Sequence, residues 1–212
     1  ISYNYINLLP EKDSTFHQNE HFREIFKEDV NMMVLGIQDS TFFELKKFND
    51  WLAFGDSIKS IKGVEGLGSV AHTYTIKKNK ELKKFELVPL VKGKVKTQEE
   101  LDSIKIEFMS LPFYKGLLYN DYTHVFVMVI TINEELLHSR NREEVIHEIE
   151  RISAEFGNSH NLQVHHSGLP YTRSVIAKKI REELLMFVLL ALLVTAIILF
   201  LFFRSLKVVL FS

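Results

Sequence analysis

Nine histidines are the residues of this sequence that most invite chemistry. His160, His165 and His166 form the densest group. On a strand, His165 and His166 point to opposite faces, so they cannot readily share one metal ion. His17 and His21 are spaced i,i+4 and would share a helix face, but no acidic third ligand has a clear position beside them. The carboxylates fall in adjacent pairs, Glu99-Glu100 and Glu143-Glu144, a pattern that solvates a helix face. Ser167 lacks the preceding glycine of a nucleophile elbow. No phosphate-binding loop, dinucleotide fingerprint or His-Glu-x-x-His is present. Cysteine is absent, which excludes disulfides and cysteine-ligated metals. The expectation is a protein without cofactor, bound metal or catalytic constellation, and not an enzyme.

The apolar residues say more. The sequence holds 17 Phe and 7 Tyr, more than a small α/β core and one membrane helix obviously require. Leu111, Phe113, Tyr114, Leu117 and Tyr119 are the candidate lining of a hydrophobic cleft. The alternative is that they pack the surrounding insertion onto a sheet.

Several elements must position these residues. Residues 30–37 have the composition of a buried strand. Thr41 and Glu44 fit a capping box for a helix burying Leu45, Phe48, Trp51, Leu52 and Ile58, ended near Gly63. Residues 64–76 read as a second strand. Residues 125–132 (VFVMVITI) give the strongest strand signal. Asn141 and Glu144 offer another capping box, Val145, Ile149, Ile152 and Phe156 keep helical spacing, and Gly157 suits a C-terminal cap. Residues 162–166 close the series as a short strand. Two β-α-β units predict an α+β fold, a ferredoxin-like sandwich of four strands with two helices on one face. An insertion at 77–122 divides them. It contains a basic run (Lys77, Lys78, Lys80, Lys83, Lys84), a helix capped by Thr97 with Glu100, and the aromatic stretch. The basic run is either a solvated face or a contact for anionic lipid. Residues 1–29 form a lead-in with a short helix capped by Ser14, residues 30–170 the domain, and residues 171–212 the juxtamembrane and membrane segment.

That last segment is the plainest feature. The run from Leu184 to Phe203 is about 20 residues long and uncharged, enough to cross a hydrocarbon core of roughly 30 Å. Its one polar residue, Thr195, can return its hydroxyl to a carbonyl one turn back. Helical pattern starts at Thr172, with Lys178–Glu182 and Lys179–Glu183 as i,i+4 pairs outside the bilayer. A stiff rod from domain to membrane is expected. Lys and Arg nearly balance on the two sides, so sidedness stays open. The net charge of -1 gives no footprint for a nucleic-acid partner. The sequence begins with Ile and stops in an apolar tail after Lys207. A portion of a longer chain is expected, its remaining transmembrane domain being a partner of this part. Oligomeric state is open, a homo-oligomer included.

The C-terminal stretch HHSGLPYTRSVIAKKIREELLMFVLLALLVTAIILFLFFRSLKVVLF resembles the junction between the first extracytoplasmic loop and second transmembrane helix of RND-superfamily exporters. It is most similar to the lipid- and hydrophobe-exporting branch that includes the MMPL proteins. Leu8-Leu9-Pro10, the polar helix after it and the strand opening Val30-Asn31-Met32-Met33-Val34 also fit. The resemblance spans nearly the whole sequence and rests on the order of elements, since none of its motifs is individually specific. It implies a periplasmic porter domain of β-α-β repeats on a bacterial inner-membrane protein driven by proton flow. It also implies a hydrophobic or lipid-like substrate. The family's proton-relay acids belong to later transmembrane helices, so no residue here takes that role. The competing expectation is an extracytoplasmic sensor domain of a single-pass signalling protein.

Overall fold

The computed structural model describes residues 17–18, 21, 31–79, 84–137 and 142–203. The Ser14 and Asn141 caps, most of the lead-in segment and the tail beyond 203 lie outside the described residues. His17, Gln18 and His21 are helical and exposed.

The fold is mixed α/β with antiparallel sheets and one long apolar C-terminal helix. Strand β1 (Met32–Gln38) leads to helix α1 (Leu45–Lys59) and strand β2 (Val64–Ser69). A hairpin of β3 (Tyr74–Asn79) and β4 (Lys84–Pro89) follows, then α2 (Gln98–Met109) and the two-residue β5 (Tyr119–Asn120). Strand β6 (Val125–Ile132), α3 (Arg142–His160), β7 (His165–Ser167) and α4 (Leu169–Phe203) complete the chain.

The main sheet runs β2-β6-β1-β7, with β5 also pairing β6. Every pair in it is antiparallel. Because β1 and β2 both oppose β6, they are parallel to each other and joined through α1. By the same parity β6 and β7 are parallel, flank β1 and are joined through α3. Period-two alternation sorts the residues. Met33, Leu35 and Ile37 face Ile130, Met128 and Phe126 across the β1–β6 ladder, and all six are buried. The other face, with Val34, Gly36, Val127 and Val129, is only half-buried.

An aromatic cluster fills the space between the buried sheet face and the two helices. Phe42 stacks on Phe126 with ring centres 3.9 Å apart and meets Trp51 edge-on at 5.7 Å. Phe54 of α1 stacks on Phe156 of α3 at 4.6 Å. Offset and edge-on contacts of this kind add to the burial of large apolar areas.

Four local expectations are corrected. Thr41 does not cap α1, which starts later, at Leu45. Asp39 instead accepts from the Thr41 N–H at 2.8 Å, and the first helical N–H, of Leu45, donates to Gln98 of α2 at 3.0 Å. The strand expected over 64–76 breaks at a 3-10 turn, Val70–His72, and Tyr74 onward belongs to a separate two-stranded sheet. Gly157 does not end α3. It lies inside the helix, where a Cβ would stand 2.7 Å from the Leu162 carbonyl oxygen, and Asn161 takes the left-handed turn at φ 52°. The closing strand is His165–Ser167 rather than 162–166.

The chain divides into two compact units, Ile1–Tyr171 and Thr172–Ser212. Helix α4 is 35 residues long, about 52 Å at 1.5 Å per residue. It starts three residues before Thr172, with Pro170 in its first turn, where the missing N–H costs nothing. Residues Leu169–Phe202 are long and apolar enough to cross a membrane, and none of the apolar stretch is buried in the protein. Leu184 is exposed, Phe203 is the last residue of the helix, and the Thr195 hydroxyl donates to the Ala191 carbonyl at 2.8 Å.

Candidate functional site

The five aromatic and aliphatic residues of the insertion separate into a base and a surface. Pro112–Tyr114 is a short 3-10 turn behind α2. Gly116, at φ 78°, turns the chain so that its N–H reaches the Tyr119 carbonyl at 2.8 Å. A Lys115–Asp121 ion pair at 2.8 Å closes the loop.

Tyr119 is only 3% exposed, and its ring lies 4.9 Å from that of Phe108. Burial pushes its phenol pKa up. Tyr114 stacks on Phe108 at 5.7 Å and donates its hydroxyl to the Tyr74 carbonyl at 2.8 Å, tying the loop to the start of the hairpin. Phe113 stands edge-on to Tyr114 yet is 75% exposed, and Leu117 is also exposed. Leu111 is half-buried. Phe108, Tyr114 and Tyr119 thus form a packed base from which Phe113 and Leu117 present apolar surface. What this arrangement can do is hold an apolar or amphiphilic partner by contact.

Two open grooves lie elsewhere. One, of about 340 Å³, runs between the loop after β4 (Leu90, Val91, Gly93) and α2 (Ser103, Ile104, Glu107). The other, of about 440 Å³, lies between the start of α1 (Leu45, Asn49) and Lys94–Lys96. None of Leu111, Phe113, Tyr114, Leu117 or Tyr119 lines either groove.

The histidines take separate places. His165 is exposed opposite Gly36, while His166 pairs with Leu35 and stacks on Tyr171 at 5.2 Å. Its Nε2 is buried without a hydrogen-bond partner among the described residues, and burial lowers its pKa. His160 reaches from α3 to Asp50 of α1 at 3.3 Å. Among the described residues, no three His, Asp or Glu come together as metal ligands.

One polar cluster was not foreseen. His72 holds the Ser69 hydroxyl at 2.8 Å through Nδ1 and Asp56 at 3.3 Å through Nε2. The order Ser-His-Asp has the form of a hydrolytic relay, but its exposure runs the wrong way: Ser69 is fully buried and Asp56 lies in solvent. A buried hydroxyl cannot meet a substrate carbonyl, so the cluster fastens the turn after β2 to α1. Gly55 makes the fit, since a Cβ there would sit 2.3 Å from the imidazole. The only sequence signal was a serine and a histidine three apart in an apparent strand.

Burial holds the His72 pKa below its usual value against the pull of Asp56, and His166 is lowered in the same sense. Above about pH 6.5, where an unfolded histidine is neutral, neither affects stability. As pH falls below that value the unfolded chain takes up protons first, so the domain loses stability until the folded-state pKa values are passed. His72→Gln should flatten the slope of denaturant midpoint against pH below 6.5, and adding His166→Gln should flatten it further. An unchanged slope in the double variant contradicts this assignment.

A scan against protein-family models finds no match, and a search of curated proteins finds no significant one.

Proposed function

We propose that this chain is the periplasmic porter portion of a proton-driven inner-membrane exporter of hydrophobic or amphiphilic molecules, of RND type and nearest its MMPL branch. The supporting observation is topological. The order β2-β6-β1-β7 brings two β-α-β units into one sheet, and a porter repeat of ferredoxin-like type would be built from such units. A membrane-length helix begins two residues after the last strand. The exposed Phe113 and Leu117, held on a rigid aromatic base, suit an apolar substrate.

The coding sequence beyond Ser212 tests this reading. An exporter requires several further apolar spans of about 20 residues, one carrying a buried acid. A soluble signalling domain there would sink the proposal in favour of a sensor.

A further inference from the structure

The hairpin β3–β4 carries a surface that neither the core nor the proposed porter role explains. Among the described residues its two strands pair only with each other, and a lone two-stranded hairpin is marginal in water unless something covers an apolar face. Cross-strand pairing puts Ile76 opposite Leu87 and Lys78 opposite Phe85. These four share one face by the period-two rule. Ile76, Phe85 and Leu87 are 66%, 74% and 71% exposed. The neighbouring Thr75, on the other face, is buried. The hairpin therefore exposes an apolar face at Ile76, Phe85 and Leu87.

The charge on the same element identifies what covers it. Residues 77–84 hold five lysines against one acid, Glu81. Lys78 and Lys84 are exposed within the paired strands. A second copy of the chain would bring two lysine clusters together, and like charges in register oppose pairing. An apolar face bordered by lysines is instead the chemistry of an interfacial membrane contact, with apolar side chains among the upper acyl chains and ammonium groups at anionic headgroups. The chain also holds a membrane-length helix, so a bilayer is a surface it meets.

We infer that the β3–β4 hairpin binds the surface of an anionic lipid bilayer through Ile76, Phe85, Leu87 and Lys78. This needs only a membrane-anchored chain, so it stands or falls separately from the export role.

The absence of cysteine permits a direct test. The full chain carrying Phe85→Cys, labelled with an apolar fluorophore, is placed in nanodiscs of phosphatidylcholine alone or with about a third phosphatidylglycerol. Both contain a small amount of headgroup-spin-labelled lipid as contact quencher. A label at Glu99→Cys, exposed on α2, serves as reference. The expected result is strong quenching at position 85 in anionic discs, weak quenching in neutral ones and little at position 99 in either. Lys78→Gln should lower the contact equilibrium constant about 5-fold, the worth of one lysine at an anionic surface. Equal quenching in both lipids, equal quenching at both positions, or none at position 85 overturns the inference. So does a lipid-independent shift of the label that grows with protein concentration, which would identify a second copy as the occupant.

Discussion

A chain carrying both Leu193→Arg and Ile197→Arg should leave the membrane fraction, while either substitution alone should not. Apolar residues at the centre of a span favour insertion by about 0.3–0.6 kcal/mol each, so the run within α4 sums to ~6–12 kcal/mol as an upper bound. One central arginine costs about 2.5–3.5 kcal/mol and forfeits the residue it replaces, which leaves insertion favourable. Two bring the balance close to zero. Leu193 and Ile197 are exposed and one turn apart, so the two charges would fall on the same side of the helix and compete for the same water. Alkaline extraction of membranes reads the result. Release by a single arginine, or retention of the double variant, would contradict a membrane-spanning α4.

The second large effect lies in the core. Trp51 is fully buried, with Phe42, Phe54 and Phe156 rings 5.4–5.7 Å away. Trp51→Ala should cost about 3–5 kcal/mol, the range for truncating a large core aromatic. Trp51→Phe should cost much less than that difference in size suggests. The indole Nε1 is buried with no partner among the described residues, and deleting an unsatisfied donor removes a penalty. Urea titration of the full chain in mild detergent, followed by near-ultraviolet circular dichroism, separates the domain core from the helix. Equal losses for the two substitutions would mean that the indole N–H is satisfied.

Legibility of the sequence followed the range of the interactions. Strand β6 occupies the expected residues because its apolar run is local and continuous. The buried face of α1, the Thr97 cap and the Thr195 back-bond are equally local and were readable. The break at Val70–His72 was not, because it depends on Asp56 and Gly55, which lie on another element. Gly157 looked like a helix end, but its use is close approach of the Leu162 carbonyl. In the candidate site, composition marked residues 111–119 as aromatic and apolar. It could not sort Tyr114 and Tyr119 into the base and Phe113 and Leu117 into the surface, since Phe108 on α2 makes that division. The outward apolar face of the hairpin was divided between the end of the strand expected over 64–76 and the lysine-rich start of the insertion at 77–122, so its pairing was not legible.

The proposed role in export is tested most directly by transport itself. Proteoliposomes containing the full-length protein, loaded with a fluorescent short-chain lipid or a hydrophobic dye, should extrude it when a proton gradient is imposed and stop when the gradient is collapsed. Phe113→Ala with Leu117→Ala should cut the rate at least several-fold with the near-ultraviolet spectrum unchanged, because both side chains are exposed. Gradient-independent release equal to that of protein-free liposomes, for both cargoes, would contradict the account.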